Sequence, residues 1–230
     1  LIEDSLKAQD LFGEVPIYIK TWVSSRKTSG NLSFIYKVVP SSIHGDALGV
    51  HRDSGGLVGC GLAFVPIPPG NNIYRNIVEW DLSRAPKETR GVWSFGEGLD
   101  VAEKVGPDSI LNDSVYMVGP IESFPSAPIA RGISDYYGYY WFGSLQPNIN
   151  VIQKIHHDFL MKIAEFFEDI PTRDNPYRTF VRNRGHVEAF GGTCFTRSHI
   201  FDYDRRIDQA EDNDLVRRIS HNWLGPSIPM

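Results

Sequence analysis

The sequence predicts an α+β fold, with a β-sandwich-like layer over residues 1–125 and a helix-dominated part over residues 126–230. Three observations predict it. Apolar residues recur with a period of two through the first half, the signature of half-buried strands. A Pro/Ser/Gly segment, Phe124 to Ile133, then breaks the pattern and marks the domain boundary. Beyond it the apolar spacing turns helical.

Taken in order, Leu1 to Phe12 places Leu1, Ile2, Leu6, Ala8, Leu11 and Phe12 at spacings that suit a short helix or a packed arm. Val15 to Val23 puts Val15, Ile17, Ile19, Thr21 and Val23 on one strand face, and Leu32, Phe34, Tyr36 and Val38 repeat the pattern. Leu57 to Val65 is apolar and glycine-rich, which fits a buried strand with a close backbone neighbour. Asn72 to Leu82 alternates again, and Trp93 to Gly96 and Ser114 to Gly119 complete the set. Short strands with turns between them indicate a sandwich or a comparable all-β layer.

From Pro147 the apolar positions Ile149, Ile152, Ile155, Phe159, Leu160, Ile163, Phe166 and Phe167 form a helical stripe that ends before Pro171. Asn148 is the predicted N-cap, and Ile152, Ile155, Phe159, Ile163 and Phe166 are the predicted buried face. Tyr177 to Arg184 and Gly191 to Phe201 read as strands, and a last helix covers Asp214 to Trp223.

Composition narrows the function classes. Hydrophobic content of 41% with 22% charged residues is that of a soluble globular protein, and a net charge of −5 argues against nucleic-acid binding. No stretch reaches the ~20 apolar residues a membrane span needs, and no secretory leader opens the chain. Cys60 and Cys194 are the only cysteines. They fit a reducing, cytoplasmic setting, with one disulfide between distant segments as the alternative. The first residue is not methionine, so an N-terminal segment is expected to be missing.

The last helix carries the most specific signal. Read back from His221, it has the form of the zinc-peptidase helix H-E-x-x-H followed by Asn222 and Trp223, with Arg217 at the first ligand position and Arg218 at the base position. A guanidinium has no lone pair to offer a metal and remains protonated. Upstream, Tyr139-Tyr140-Trp141-Phe142-Gly143, the long helix, Tyr177-Arg178-Thr179-Phe180-Val181-Arg182, and Gly191-Gly192-Thr193 followed by Ser198-His199-Ile200-Phe201 come in a fixed order. That order, from roughly Leu32 to Trp223, resembles the glycyl-aminopeptidase-like family of zinc metallopeptidases. The resemblance implies a β-domain joined to a thermolysin-like helical domain, here truncated, since the chain stops nine residues after His221. It does not carry over peptidase activity, because the catalytic positions are the ones that differ.

The residues open to chemistry each have two readings. Arg217 and Arg218 are exposed helix arginines, or one of them places a cation in the former metal cleft, to hold a carboxylate or stabilise an oxyanion. His221 is a hydrogen-bonded structural residue or a general acid/base. Tyr136, Tyr137, Tyr139, Tyr140 and Trp141 pack a domain interface or wall a pocket with phenol donors, Tyr139 being the one counted with the catalytic set. Gly191, Gly192 and Thr193 resemble the family's substrate-binding edge strand, although a bulge needs glycines equally. His156, His157, His186 and His199 are too scattered in sequence to define a metal site, and His156 and His157 point to different helix faces. Cys194 reads as a buried thiol.

These readings lead to one expectation and a rival. The expected protein is a metal-independent, cofactor-free enzyme that cyclises or isomerises a small, largely apolar secondary metabolite in the former peptidase cleft. The rival is a non-catalytic pseudopeptidase that binds a peptide or protein. The expected partners are a small-molecule substrate, neither nucleic acid nor membrane, and a second copy of the chain covering apolar surface left by truncation.

Overall fold

The structure is a computed structural model, and it describes residues 2–8, 17–23, 26–27, 29–41, 48–68, 70, 72–99, 101–126, 136–144, 147–183 and 191–203. The chain divides into two compact units, Leu1–Lys37 and Val38–Met230.

The first unit contains an antiparallel pair, β1 (Ile2–Ala8) and β2 (Ile17–Val23), in register from Ile2 opposite Val23 to Ala8 opposite Ile17. The expectation of a helix or arm at the N-terminus is therefore corrected to a strand. A neighbouring strand that satisfies every second backbone group outweighs a weak helical spacing. Leu32 to Val38 is also corrected, because it forms no strand and pairs with none among the described residues. Leu32, Phe34 and Tyr36 are 64%, 65% and 53% exposed, and Ile35 between them is fully exposed, so alternation here sorts no residues inside from outside.

The second unit is built from three sheets. The first has the order β3 (His51–Asp53), β4 (Gly56–Cys60), β9 (Val115–Gly119), β6 (Arg90–Trp93) and β7 (Gly96–Glu97). A two-stranded sheet pairs β5 (Ile73–Val78) with β8 (Ala102–Pro107). The glycines of β4 serve close approach, as their number suggested. A Cβ on Gly59 would stand 2.7 Å from the Val50 Cα, too close for any side chain. The strand ends at Cys60 rather than Val65 and passes into a 3-10 turn, Gly61–Ala63, and a short helix α1 (Ser109–Asn112) precedes β9.

The third sheet positions the site. Its order is β10 (Ile121–Phe124), β11 (Tyr137–Phe142), β12 (Tyr177–Asn183), β14 (Ser198–Tyr203) and β13 (Gly191–Phe195). Strands β11, β12 and β14 are mutually parallel, and β10 and β13 run antiparallel at the ends. Parallel neighbours need a crossover, and the long helix α2 (Pro147–Phe166) supplies it between β11 and β12. Gly191 to Phe201, read as one strand, is a hairpin that turns at Thr196 and Arg197, with Arg197 at φ +58°.

Two cores sandwich this sheet. On one face Tyr140, Phe142, Phe180 and Ile200 meet Val58, Cys60, Val92, Val115 and Met117 of the first sheet. On the other, Tyr137, Tyr139, Tyr177, Val181 and Phe201 meet Leu160 of α2. A β-rich N-terminal part is observed, but the part after residue 126 is sheet with one long helix among the described residues, not helix-dominated. The reason is that β11, β12, β13 and β14 each gain a full ladder of hydrogen bonds that short apolar runs conceal in sequence. No helix among the described residues is long and apolar enough to cross a membrane.

The face of α2 also differs from expectation. His156, Leu160 and Ala164, four residues apart, are completely buried, whereas Ile155 is 38% and Phe166 79% exposed. Pro147 opens the helix, so Asn148 lies inside it rather than at the cap. The side chain of Ile152 lies outside the described residues.

Candidate functional site

Alternation along β11 divides the predicted aromatic cluster between the two cores. Tyr137 and Tyr139 are buried toward α2, and Trp141 packs half-buried beside them. Tyr140 lies on the opposite face, and Tyr136 is half-buried at the strand's start. These side chains are therefore two sets of packed residues rather than one continuous wall, because successive strand residues face opposite ways. Gly191, Gly192 and Thr193 do lie on β13, the terminal strand of the sheet order. Arg217, Arg218 and His221 lie outside the described residues, as do His186 and the last helix. Both cysteines are free thiols, Cys60 buried and Cys194 half-buried.

On the α2 face the fold assembles a polar cluster that the sequence had scattered. His156 projects from the buried stripe of α2, and His199 projects from β14; both are 0% exposed. Their ring centroids stand 6.1 Å apart. Tyr139 and Phe201 flank the His156 ring at 6.0 and 6.1 Å. The Tyr177 hydroxyl and His199 Nδ1 are 3.3 Å apart, and Thr179 Oγ1 stands 3.5 Å from the same nitrogen. Which of these atoms donates depends on the imidazole tautomer.

Burial works against charge at two members of the cluster. Desolvation, reinforced by the nearby His199, holds His156 well below the ordinary histidine range, so its ring is uncharged at neutral pH. Burial raises the Tyr137 phenol above its usual value, opposed only in part by a hydrogen bond with Thr179. Neither nitrogen of His156 has a hydrogen-bond partner among the described residues. An unsatisfied buried imidazole costs about 1–3 kcal/mol, and such groups call for an explanation. Chemically, the cluster can donate and accept hydrogen bonds, the Tyr177 hydroxyl and His199 Nδ1 exchanging donor and acceptor roles with the imidazole tautomer.

The opposite face is ionic. Arg182 and Asp202 form a two-pronged pair at 2.6 and 2.9 Å, with side chains 0% and 2% exposed. Tyr140 donates to Glu97 Oε2 at 2.7 Å, and Arg90 Nη2 stands 3.9 Å from the same oxygen. Arg178 lies 5.9 Å over the Tyr140 ring. Further hydrogen bonds tie the third sheet to the first, among them Ser94 Oγ with Ser198 Oγ at 2.7 Å and Asn183 N donating to Asp53 Oδ2 at 3.1 Å.

Sequence reasoning set His156 and His199 aside as too scattered to define a metal site and gave Arg178 no role. The signal for His156 is its spacing with Leu160 and Ala164, which outweighs the larger apolar residues one position away. His199 alternates with Phe201 on one strand face, which is visible only once the strand is placed. As for metal, no group of three His, Cys, Asp or Glu side chains converges among the described residues. At the three motif positions that the resemblance aligns with zinc chemistry, only His221 has a donor atom for a metal. That donor set does not fit a peptidase zinc site, and no step is derived through one.

No protein-family model and no curated protein matches the sequence. Among solved structures, the chain is similar to an M1 zinc metallopeptidase from Deinococcus radiodurans, with 14% identity and a TM-score of 0.43 over 82% of this chain and 44% of that one. It is also similar to an aminopeptidase N family protein from Idiomarina loihiensis, with 15% identity and a TM-score of 0.54 over 76% of this chain and 31% of that one. The chain thus spans about a third of the length of the latter protein, and the likeness concerns fold rather than activity. In fold, this chain is similar to part of an aminopeptidase N family protein.

Proposed function

We propose that this chain is a metal-independent enzyme on a peptidase-type fold that cyclises or isomerises a small, largely apolar molecule. The observation that carries the reading is the buried His156–His199 cluster, above all His156 with neither nitrogen hydrogen-bonded among the described residues. A fold retains an unsatisfied polar group at a cost to stability, and functional sites are where such costs are found. Neutral imidazoles and phenols polarise an uncharged substrate without fixing it as an ion. Holding a flexible apolar molecule in one conformation supplies the remainder of the barrier lowering. Arg217, Arg218 and His221, outside the described residues, are the further candidates, where a cation would stabilise charge developing on oxygen.

The test begins with denaturing extraction of purified protein and mass spectrometry of what it carries, which supplies candidate substrates. Product formation and stability are then measured for His156→Leu, Arg217→Met and Arg218→Met. His156→Leu is expected to keep or raise thermal stability while turnover falls about ten- to a thousandfold, equivalent to roughly 1.4–4 kcal/mol of transition-state stabilisation. One of the two arginine variants is expected to lose activity within the same range. Loss of stability with turnover unchanged would make His156 a packing residue and sink the reading. Peptide binding with no turnover of any carried molecule would favour the pseudopeptidase reading instead.

A further inference from the structure

Arg178 is another buried polar group with unpartnered atoms among the described residues, on the sheet face away from the imidazoles. It sits on the central strand β12 and is only 7% exposed. Its Nε and Nη1 atoms have no hydrogen-bond partner among the described residues, and no carboxylate among them lies within 4.0 Å. The contrast with its neighbour Arg182, four residues along the same strand, is direct. Arg182 is fully buried and meets Asp202 through a two-pronged ion pair. A guanidinium out of water needs an anion, since burial of an unpaired charge costs several kcal/mol. The Tyr140 ring, 5.9 Å away, offers a cation–π contact but no acceptor for the N–H groups.

Tyr140 is itself committed. Its hydroxyl donates to Glu97 Oε2, and its ring stacks on Phe180 at 5.6 Å. Arg90 reaches the same carboxylate and donates to Ile121 O and Ser123 Oγ at 3.2 and 3.3 Å. Two guanidiniums and one carboxylate leave a formal charge of one positive unit around the phenol. Arg90 and Glu97 are partly exposed, with side chains at 29% and 18%, so the cluster reaches solvent on their side.

We propose that Arg178, with Arg90 and Glu97 beside it, forms a binding site for a monoanionic carboxylate, the guanidinium fork of Arg178 being the anchor. The charge count selects one negative charge over two, because a dianion would turn the cluster net negative. Planar oxygens match the fork, and Tyr140 and Phe180 make the surroundings aromatic. The site lies across the sheet from His156 and His199 and stands whether or not that cluster is catalytic.

The experiment is calorimetric titration of the intact chain with benzoate and acetate at fixed ionic strength, with inorganic phosphate as the dianionic comparison. Wild type is expected to bind benzoate at one saturable site. Arg178→Met is expected to weaken it about ten- to a hundredfold, the worth of a hydrogen bond to a charged group. Glu97→Gln is expected to tighten it, since the competing carboxylate is gone. Arg178→Lys keeps the charge and loses the fork, so it is expected to fold and to bind between the two; it decides the matter if Arg178→Met does not fold. Absence of saturable binding, unchanged affinity in the Arg178 variants, weaker binding in Glu97→Gln, or tighter binding of phosphate than of either carboxylate would each overturn the proposal.

Discussion

Replacing Leu160 by alanine tests which face of α2 the protein buries. Leu160 is 0% exposed and packs with Tyr137, Tyr139, Tyr177, Val181 and Phe201, none more than 2% exposed. The substitution removes three carbon atoms, worth about 0.8 kcal/mol each on transfer, or roughly 2.4 kcal/mol. The ring-walled surroundings relax little, so a cavity term adds to this and the total should fall at about 3–4 kcal/mol, within the usual Leu→Ala range. Phe166→Ala is the matched control. Its ring is 79% exposed, so its loss should change stability by less than about 0.5 kcal/mol despite the larger side chain. Urea unfolding of wild type and both variants, followed by circular dichroism at one m-value, gives the two differences. A cost below about 1 kcal/mol for Leu160→Ala, or above about 2 kcal/mol for Phe166→Ala, would show the helix rotated toward its apolar stripe.

The ion pair and the buried imidazole give two more. Asp202→Ala takes the carboxylate from a fully buried Arg182 and should cost about 3–5 kcal/mol, whereas the double variant Arg182→Met with Asp202→Leu should return to within about 1 kcal/mol of wild type. Simple additivity of the two single losses in denaturant titrations would refute this. For His156, the folded pKa is depressed, so above the unfolded value of about 6.5 both states are neutral and nothing is lost. As pH falls below that value the unfolded chain takes up a proton that the folded one refuses, and stability declines by up to about 1.4 kcal/mol per pH unit until the folded pKa is passed. His156→Leu should flatten the stability profile between about pH 6.5 and 5 relative to wild type; parallel profiles would show that the buried ring is already protonated.

Legibility followed the range of the interaction that decides each feature. Strands β2, β5, β9 and β12 were visible because their apolar pattern lies within the strand itself, whereas Trp93 to Gly96, read as a strand, is the turn that joins β6 to β7. Leu32 to Val38 has the same apolar pattern, yet no partner strand among the described residues, and a pattern without pairing leaves backbone groups to water. For α2, length and end were legible, but its face was not. The stripe of Ile155, Phe159, Ile163 and Phe166 outscores His156, Leu160 and Ala164 on hydrophobicity, while the tight fit against Tyr137 and Phe201 selects the smaller residues. The hairpin at Thr196 and Arg197 was hidden because neither is a glycine, although Arg197 adopts the left-handed conformation. Its guanidinium bonds with Asp169 and donates to the Asn175 carbonyl at 2.8 Å, contacts more than twenty residues back that hold the turn. The candidate site was least legible, since His156 and His199 meet only when a crossover helix is laid over a sheet.

Two of the hydrogen bonds between the first sheet and the third join Ser94 to Ser198 across 104 positions and Asp53 to Asn183 across 130. Such closures set a slow pace for folding, because entropy is spent before the distant contact returns anything. The order of synthesis sharpens the point. Val58, Val92, Val115 and Met117 leave the ribosome well before Phe180 and Ile200, which cover them in the finished fold. Roughly 80 residues separate Met117 from Ile200, or about 4–17 s of translation at ~5–20 residues per second. Through that interval the nascent chain carries a sheet face whose cover is incomplete, a surface for a holding chaperone or for another unfinished chain.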